Sequence, residues 1–264
     1  LIDCHCHLAD ELFAGDVDEV IERAKQSGVE GIVVVAQFAN DQQAILDLAK
    51  KYPNFCYPAL GVHPVQRDYS SVTEADFESI EKCIRSNGDR LCALGEIGLD
   101  FSPRYLKNGD EDKRIQREVF RRQIELANEL KIAVNVHSRS AGKPVIKWLL
   151  EHNAKSVLLH CYSGNVKSAK PAIEAGFYFS IPPCFANSPE SEKLVRAVPL
   201  QQLCLETDSP FLAVNPPNSS HESKKLRWKK WNESQRKMQD DCFDLFESTK
   251  RFIVQINNTV ELII

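Results

Sequence analysis

The chain lacks several features that would assign a protein to a class at once. Its nine cysteines include no Cys-x-x-Cys pair, which argues against a zinc ribbon or a dithiol redox motif. No G-x-G-x-x-G run is present among its eleven glycines, so a dinucleotide-binding fold is not expected. No uninterrupted apolar run approaches the ~18 residues of a membrane-spanning helix. The sequence therefore predicts no membrane association.

Neither sign of charge dominates. The chain has 33 Lys and Arg residues against 37 Asp and Glu residues, for a net charge of -4. It lacks the basic field that holds proteins non-specifically on nucleic acid, so any such contact must be local. Most of the cysteines lie in or beside apolar runs, which favours reduced thiols and a cytoplasmic or nuclear location.

What the sequence does contain is a regular alternation of two patterns. Short apolar runs occur at residues 1–4, 31–36, 55–60, 91–94, 132–136, 156–159, 177–181 and 202–205. Between them, segments such as 17–26, 43–51, 77–85, 113–130 and 144–152 repeat apolar residues at helical spacing. Eight strands alternating with helices predict a TIM (β/α)8 barrel. An open doubly wound sheet is the alternative, although its glycine motif is absent.

Polar residues follow the predicted strands at the points where they end. Those with metal-binding or acid–base chemistry are His5, His7, His63, Glu96, His137, His160 and Asp208. In a parallel barrel these ends meet at one face, where active sites of this fold are built. A single histidine at a strand end is more often bonded to backbone, but that explanation does not account for the whole set.

The set predicts a metal centre. His5 and His7 are one residue apart, so on a strand they project to the same side and could share an ion. Cys4 and Cys6 alternate with them and are expected to face away. The predicted ligands are His5, His7, Glu96 and Asp208 for one ion, and Glu96, His137 and His160 for a second. Nitrogen and oxygen ligands suit zinc, manganese or magnesium, and two such ions ~3.5–4 Å apart would clamp a phosphoryl group.

Six sequence blocks, in order, resemble the motifs of the TatD-related metal-dependent deoxyribonucleases. They are His5-x-His7, Gly61-Val62-His63-Pro64, Gly95-Glu96-Ile97-Gly98-Leu99-Asp100-Phe101, Val136-His137-Ser138-Arg139, Leu159-His160-Cys161-Tyr162-Ser163-Gly164 and Leu205-Glu206-Thr207-Asp208-Ser209-Pro210. The stretch from Leu99 to Arg104 is most similar to the third animal type of this family.

The resemblance implies a metal-dependent hydrolase of the amidohydrolase type that cleaves phosphodiester bonds in DNA, often as a 3′–5′ exonuclease. It implies the same six metal ligands, with Glu96 bridging two divalent ions, and it places His63 near the phosphate. We expect a monomer acting on DNA.

A mechanism follows as a hypothesis. A divalent ion would activate water, and Asp208 would orient that water and accept its proton while His63 steadies the phosphate or the leaving oxygen. Arg139 lies two residues beyond His137 and should face the same side. It could contact a phosphate oxygen or form a structural ion pair, and the sequence does not choose between them.

The resemblance covers residues 1–212. Residues 213–264 are predicted to be a divergent, partly helical segment in place of the last barrel helix. Two other functions stay open: a metal hydrolase of the same type acting on a small amide or ester, and a catalytically weak barrel that binds metal or a partner without turnover.

Overall fold

The computed structural model describes residues 1–184 and 189–212, so the predicted divergent segment at 213–264 lies outside the described residues. Eight strands occur in the described part. They are β1 Ile2–Cys6, β2 Gly31–Val35, β3 Cys56–Leu60, β4 Ala93–Gly98, β5 Ala133–His137, β6 Val157–Leu159, β7 Tyr178–Ile181 and β8 Leu203–Leu205. Each pairs in parallel with the next along the chain.

Helices connect consecutive strands. The described ones are α1 Val17–Gln26, α2 Asp41–Lys51, α3 Glu74–Asn87, α4 Asp110–Leu130, α5 Gly142–Glu151, α6 Val166–Glu174 and α7 Pro189–Ala197. Strands in sequence order with helical crossovers form a (β/α)8 barrel, so the predicted fold is confirmed. None of the described helices is both long enough and apolar enough to cross a membrane.

The predicted ends of two strands were wrong. β1 continues to Cys6 and β4 to Gly98, past the apolar runs that ended the predictions at residues 4 and 94. Polar residues end an apolar pattern in the sequence, but His5 and Glu96 point into a buried polar site rather than to solvent. The strands therefore extend past His5 and Glu96, and their parallel pairing shifts register at both places.

The barrel closes where β8 meets β1. The Asp208 amide donates to the His5 carbonyl oxygen at 2.9 Å, and the His7 amide donates to the Ser209 carbonyl oxygen at 2.8 Å. The buried Asp3 carboxylate adds two bonds, accepting from the Thr207 amide at 3.0 Å and from the Thr207 hydroxyl at 2.6 Å. These contacts place the first histidines beside the residues that follow the eighth strand.

The strands have apolar side chains on both of their faces. Most of the core lies between the strands and the helices, whereas a smaller cluster of Cys4, Leu158 and Cys204 is packed inside the barrel. The expectation that Cys4 faces away from the histidines was therefore wrong, while Cys6 does pack on the helix side. The cause is a register shift between Asp3 and Cys6, where β1 carries one more residue than β2 and interrupts the alternation of its side chains.

Candidate metal centre

The six predicted metal ligands converge at the C-terminal mouth of the barrel. Each is at most 5% exposed. They form overlapping groups whose nitrogen and oxygen atoms lie close enough to hold an ion: His5, His160 and Asp208; His5, His7 and Glu96; and His63, Glu96 and His137. The structure thus brings together all the residues that the sequence predicted as ligands, and it adds His63 to them.

The hydrogen bonds of His5 and His7 fix which ring nitrogen faces the centre. The Asn135 amide nitrogen donates to the Cys4 carbonyl oxygen at 3.0 Å, which leaves Asn135 Oδ1 as the acceptor 2.8 Å from His5 Nδ1. His7 Nδ1 lies 3.0 Å from the Val35 carbonyl oxygen. Both Nδ1 atoms are therefore held by acceptors, and both Nε2 atoms face the centre, where each would offer a lone pair to an ion.

Those two Nε2 atoms face each other and two carboxylates. They are 3.0 Å apart, and Asp208 Oδ1 lies 3.4 Å from that of His5 and 3.2 Å from that of His7. Glu96 Oε2 lies 3.8 Å and 3.5 Å from the same two atoms. Burial by itself would raise the pKa of Asp208, but hydrogen bonding to His5 and His7 lowers that pKa overall. The carboxylate is thus ionised.

The other oxygen of Glu96 contacts His137 and His160. Glu96 Oε1 lies 2.7 Å from His137 Nδ1 and 2.7 Å from His160 Nε2. Burial would raise the pKa of Glu96, yet the fields of His160 and His63 and the two hydrogen bonds hold it well below the ordinary value. One carboxylate therefore spans both histidine groups through its two oxygens.

His137 is oriented by a second acid. Asp100 Oδ2 lies 3.1 Å from His137 Nε2, on the side of the ring away from Glu96. Burial opposes ionisation of Asp100, but its bond to His137 and the bonds from Ser102 lower its pKa to about 2. An ionised Asp100 accepts a hydrogen bond from Nε2–H, so Nδ1 is the nitrogen that His137 turns toward the centre.

His63 lies at the edge of the same cluster. Its Nε2 is 3.7 Å from Glu96 Oε1, and its ring meets that of His137 edge-on with centroids 4.4 Å apart. Burial lowers the pKa of His63 to about 4, so the ring is neutral near pH 7. His63 Nδ1 lies 2.8 Å from the Val65 carbonyl oxygen and 3.0 Å from the Val65 amide nitrogen, so Val65 holds the ring on that side and Nε2 faces the cluster.

Arg139 is placed differently from the ligands. Its side chain is exposed, and it forms no ion pair with any residue that the structure describes. Its carbonyl oxygen accepts from the Phe101 amide at 3.0 Å, which fixes the loop after β5 beside the loop after β4. Arg139 is thus an exposed cation in the loop after β5, at the barrel mouth.

Glu206 was given no role from the sequence, although it follows β8 directly. It is buried and accepts a short hydrogen bond from the Ser180 hydroxyl. Its Oε1 and His160 Nδ1, 3.7 Å apart, are both buried without a hydrogen-bond partner among the described residues. A small rearrangement would join them and orient His160 as Asp100 orients His137.

Asn135 and Asp100 were also missed as functional residues. A signal for each was present in the sequence. Asn135 is a polar residue within an apolar strand and stands two positions before His137, hence on the same face. Asp100 follows a strand end in the same way as the predicted ligands do. Neither signal reveals the partner, because both residues act on histidines of the cluster rather than on the centre itself.

Comparison with known proteins places this geometry in a family. Residues 2–238 match the family model described as TatD related DNase. A human protein named deoxyribonuclease TATDN3 is 45% identical over 236 residues, which cover 88% of this chain and 83% of that protein. An Erwinia tasmaniensis protein named 3′-5′ ssDNA/RNA exonuclease TatD is 30% identical over 220 residues, which cover 80% of each. The family match runs past residue 212, where we predict the divergent segment to begin.

A solved structure supports the fold. The crystal structure of a TatD homologue from Escherichia coli superposes with a TM-score of 0.73, covering 94% of this chain and 98% of that one. The two sequences are 24% identical, so this likeness concerns the barrel architecture alone.

Proposed function

Since the chain belongs to the TatD-related DNase family, we propose that it is a metal-dependent hydrolase that cleaves phosphodiester bonds in DNA. The observation that carries this proposal is the cluster of buried histidine nitrogens and carboxylate oxygens at the barrel mouth. The Nε2 atoms of His5 and His7 lie 3.0 Å apart, and each lies within 3.8 Å of an oxygen of Glu96 and of Asp208. Imidazoles and carboxylates gathered this closely in a buried site are the ligand set of a divalent cation.

The donor set fits a divalent ion. Two imidazoles and two carboxylates would hold the first ion, and His137, His160 and the second oxygen of Glu96 would hold another. The histidine-rich ligands favour zinc or manganese over magnesium. Partners behind the rings, Asn135 and Asp100, supply the outer hydrogen bonds that metal-binding histidines require. All the ligands come from one chain, so a monomer holds the complete centre.

When bound, the ions supply Lewis acidity that makes water nucleophilic at neutral pH and offsets charge on a phosphoryl oxygen. The protein residues supply the rest. Asp208, held ionised against His5 and His7, orients water and accepts its proton. His63, neutral near pH 7, turns Nε2 toward the edge of the centre, where it contacts a phosphate oxygen or the leaving oxygen. Arg139, without an ion-pair partner among described residues, is available to a neighbouring phosphate.

A hydrolysis assay tests the proposal. The purified chain is incubated with 5′-labelled single-stranded DNA in the presence of zinc, manganese or magnesium, and the products are sized. We expect metal-dependent cleavage that a chelator abolishes, with a ladder of products shortened one nucleotide at a time from the 3′ end for a 3′–5′ exonuclease.

The same assay separates the alternatives. Internal cuts would instead assign an endonuclease. Folded, metal-loaded protein that leaves DNA intact but hydrolyses small amides or esters would contradict the proposal and support the broader amidohydrolase alternative. Inactivity on both would support a barrel without turnover.

A further inference from the structure

The hairpin that follows β3 holds an exposed tyrosine in an unusual conformation. Val65 and Ser71 form an antiparallel bridge, and the Tyr69 amide donates to the Gln66 carbonyl oxygen at 2.9 Å to close the turn. Tyr69 has φ 63°, the left-handed region that glycine usually occupies at this point of such a hairpin. The side chain is 67% exposed. Neither the turn nor the core therefore accounts for a tyrosine here.

Tyr69 stands beside a second aromatic side chain and a cation. Its ring lies nearly parallel to that of Tyr105, with 6° between the planes and 6.1 Å between the centroids. The Arg104 guanidinium lies 4.5 Å from the centroid of the Tyr105 ring. Arg104 forms no ion pair with any described residue, so its charge is available to a ligand. We call this group the Tyr69–Tyr105 stack.

The stack belongs to the same end of the barrel as the metal centre. Tyr69 lies six positions after His63 in the loop that leaves β3, so its Cα is within ~20 Å of that of His63. Tyr105 follows Asp100 in the loop that leaves the neighbouring strand β4, and Asp100 contacts His137. The stack therefore lies on two loops that leave the same face of the barrel as the metal centre.

We propose that the Tyr69–Tyr105 stack is a base-binding subsite for a single-stranded nucleic acid whose reacting phosphodiester lies at the metal centre. This inference rests on the proposed function. An exposed aromatic ring offers an unpaired base a flat apolar face, and stacking of this kind tolerates any base sequence. Arg104 adds a cation for the adjacent phosphate. A duplex would not fit the subsite, because its base faces are covered by neighbouring pairs.

The substitution Tyr69→Gly tests the subsite with little risk to the fold. Glycine suits the positive φ, so the unfolding temperature should stay the same or rise. Binding is measured by fluorescence anisotropy with the full-length, metal-loaded chain and a labelled phosphorothioate oligothymidylate that resists cleavage. Losing one stacked base should raise the Kd by about 5- to 150-fold. Leu150→Ala is the matched control, since Leu150 is also exposed but lies at the C-terminal end of α5, away from the barrel mouth, and its Kd should not change.

An oligonucleotide series identifies the stacked base. Each nucleotide in turn is replaced with an abasic spacer, and one of these replacements should raise the Kd of the unaltered protein. The same replacement should leave the Kd of Tyr69→Gly unchanged, because that protein has already lost the contact. Duplex binding should be equal in both proteins.

Two results would overturn the inference: an unchanged Kd in Tyr69→Gly, or an equal loss on duplex DNA. An unchanged Kd together with a lowered unfolding temperature would mean that Tyr69 only holds the two loops together. Because binding is measured without turnover, a protein that passes these tests and yet fails to cleave DNA would contradict the proposed function alone. Conversely, normal cleavage with an unchanged KM in Tyr69→Gly would contradict only the subsite.

Discussion

Asn135 allows the strongest test of how the centre is organised. It is buried beneath the cluster, accepts from His5 Nδ1 at 2.8 Å and donates to the Cys4 carbonyl oxygen at 3.0 Å. Asn135→Leu keeps a side chain of similar size but removes both bonds. His5 then loses the acceptor at Nδ1. That contact is what turns its Nε2 toward the carboxylates.

The size of the effect follows from those two bonds. Leaving a buried donor and a buried carbonyl unpaired costs about 1–3 kcal/mol each, so the free energy of unfolding of the metal-free protein should fall by about 2–6 kcal/mol. Loss of an outer-shell partner of a metal-binding histidine lowers metal affinity about 10- to 100-fold. Denaturant unfolding gives the first quantity, and competition with a chelator of known affinity gives the second.

Two companion variants separate orientation of His5 from simple loss of stability. Asn135→Asp keeps an acceptor for His5 but cannot donate to Cys4, so it should lose stability while its metal affinity stays within a few-fold of the unaltered protein. Val134→Ala removes buried methyl groups from the helix-facing side of the same strand and should cost about 1–3 kcal/mol with no change in metal affinity. Metal affinity of Asn135→Leu within twofold of the unaltered protein would refute the reasoning.

The remaining predictions concern the centre itself. Asp208→Asn should keep most of the bound metal but lower kcat by about 10²- to 10⁴-fold, and near-normal turnover of labelled DNA would remove Asp208 as the proton acceptor. Glu96→Ala should lower the metal content of the purified protein, since both its oxygens face histidine groups; elemental analysis showing unchanged stoichiometry would exclude bridging. Metal at about 1,000 times its Kd should stabilise the folded chain by about 4 kcal/mol over chelator-treated protein, and calorimetric scans that coincide would show that no ion binds the folded state.

Sequence patterns were sufficient for the fold and for the residues that meet at the barrel mouth, because each of these depends on a local regularity. Apolar runs alternate with helical segments, and His5, Glu96 and Asp208 each stand at a strand end, so the parallel topology alone brings them to one face. No knowledge of side-chain packing is needed for that step.

The role of Asn135 and the direction of Cys4 could not be predicted, because both depend on the extra residue in β1 between Asp3 and Cys6. That residue is visible only when β1 is paired with β2, and it places Cys4 inside the barrel beneath His5. Likewise, the neutrality of His63 depends on how deeply it is buried beside Glu96 and His137, which is a property of the assembled mouth.

The contacts between β1 and the residues that follow β8 determine when the candidate metal centre can form during synthesis. Asp3 and Thr207 are bonded across 204 positions of the chain, and His5 and Asp208 meet at the same place. Contacts of such long range form late, because the intervening chain must first be ordered. During synthesis His5 and His7 therefore emerge long before Asp208, and the candidate ligands cannot all meet until β8 has docked. With this topology, an ion could contact the complete set of candidate ligands only after the barrel has closed.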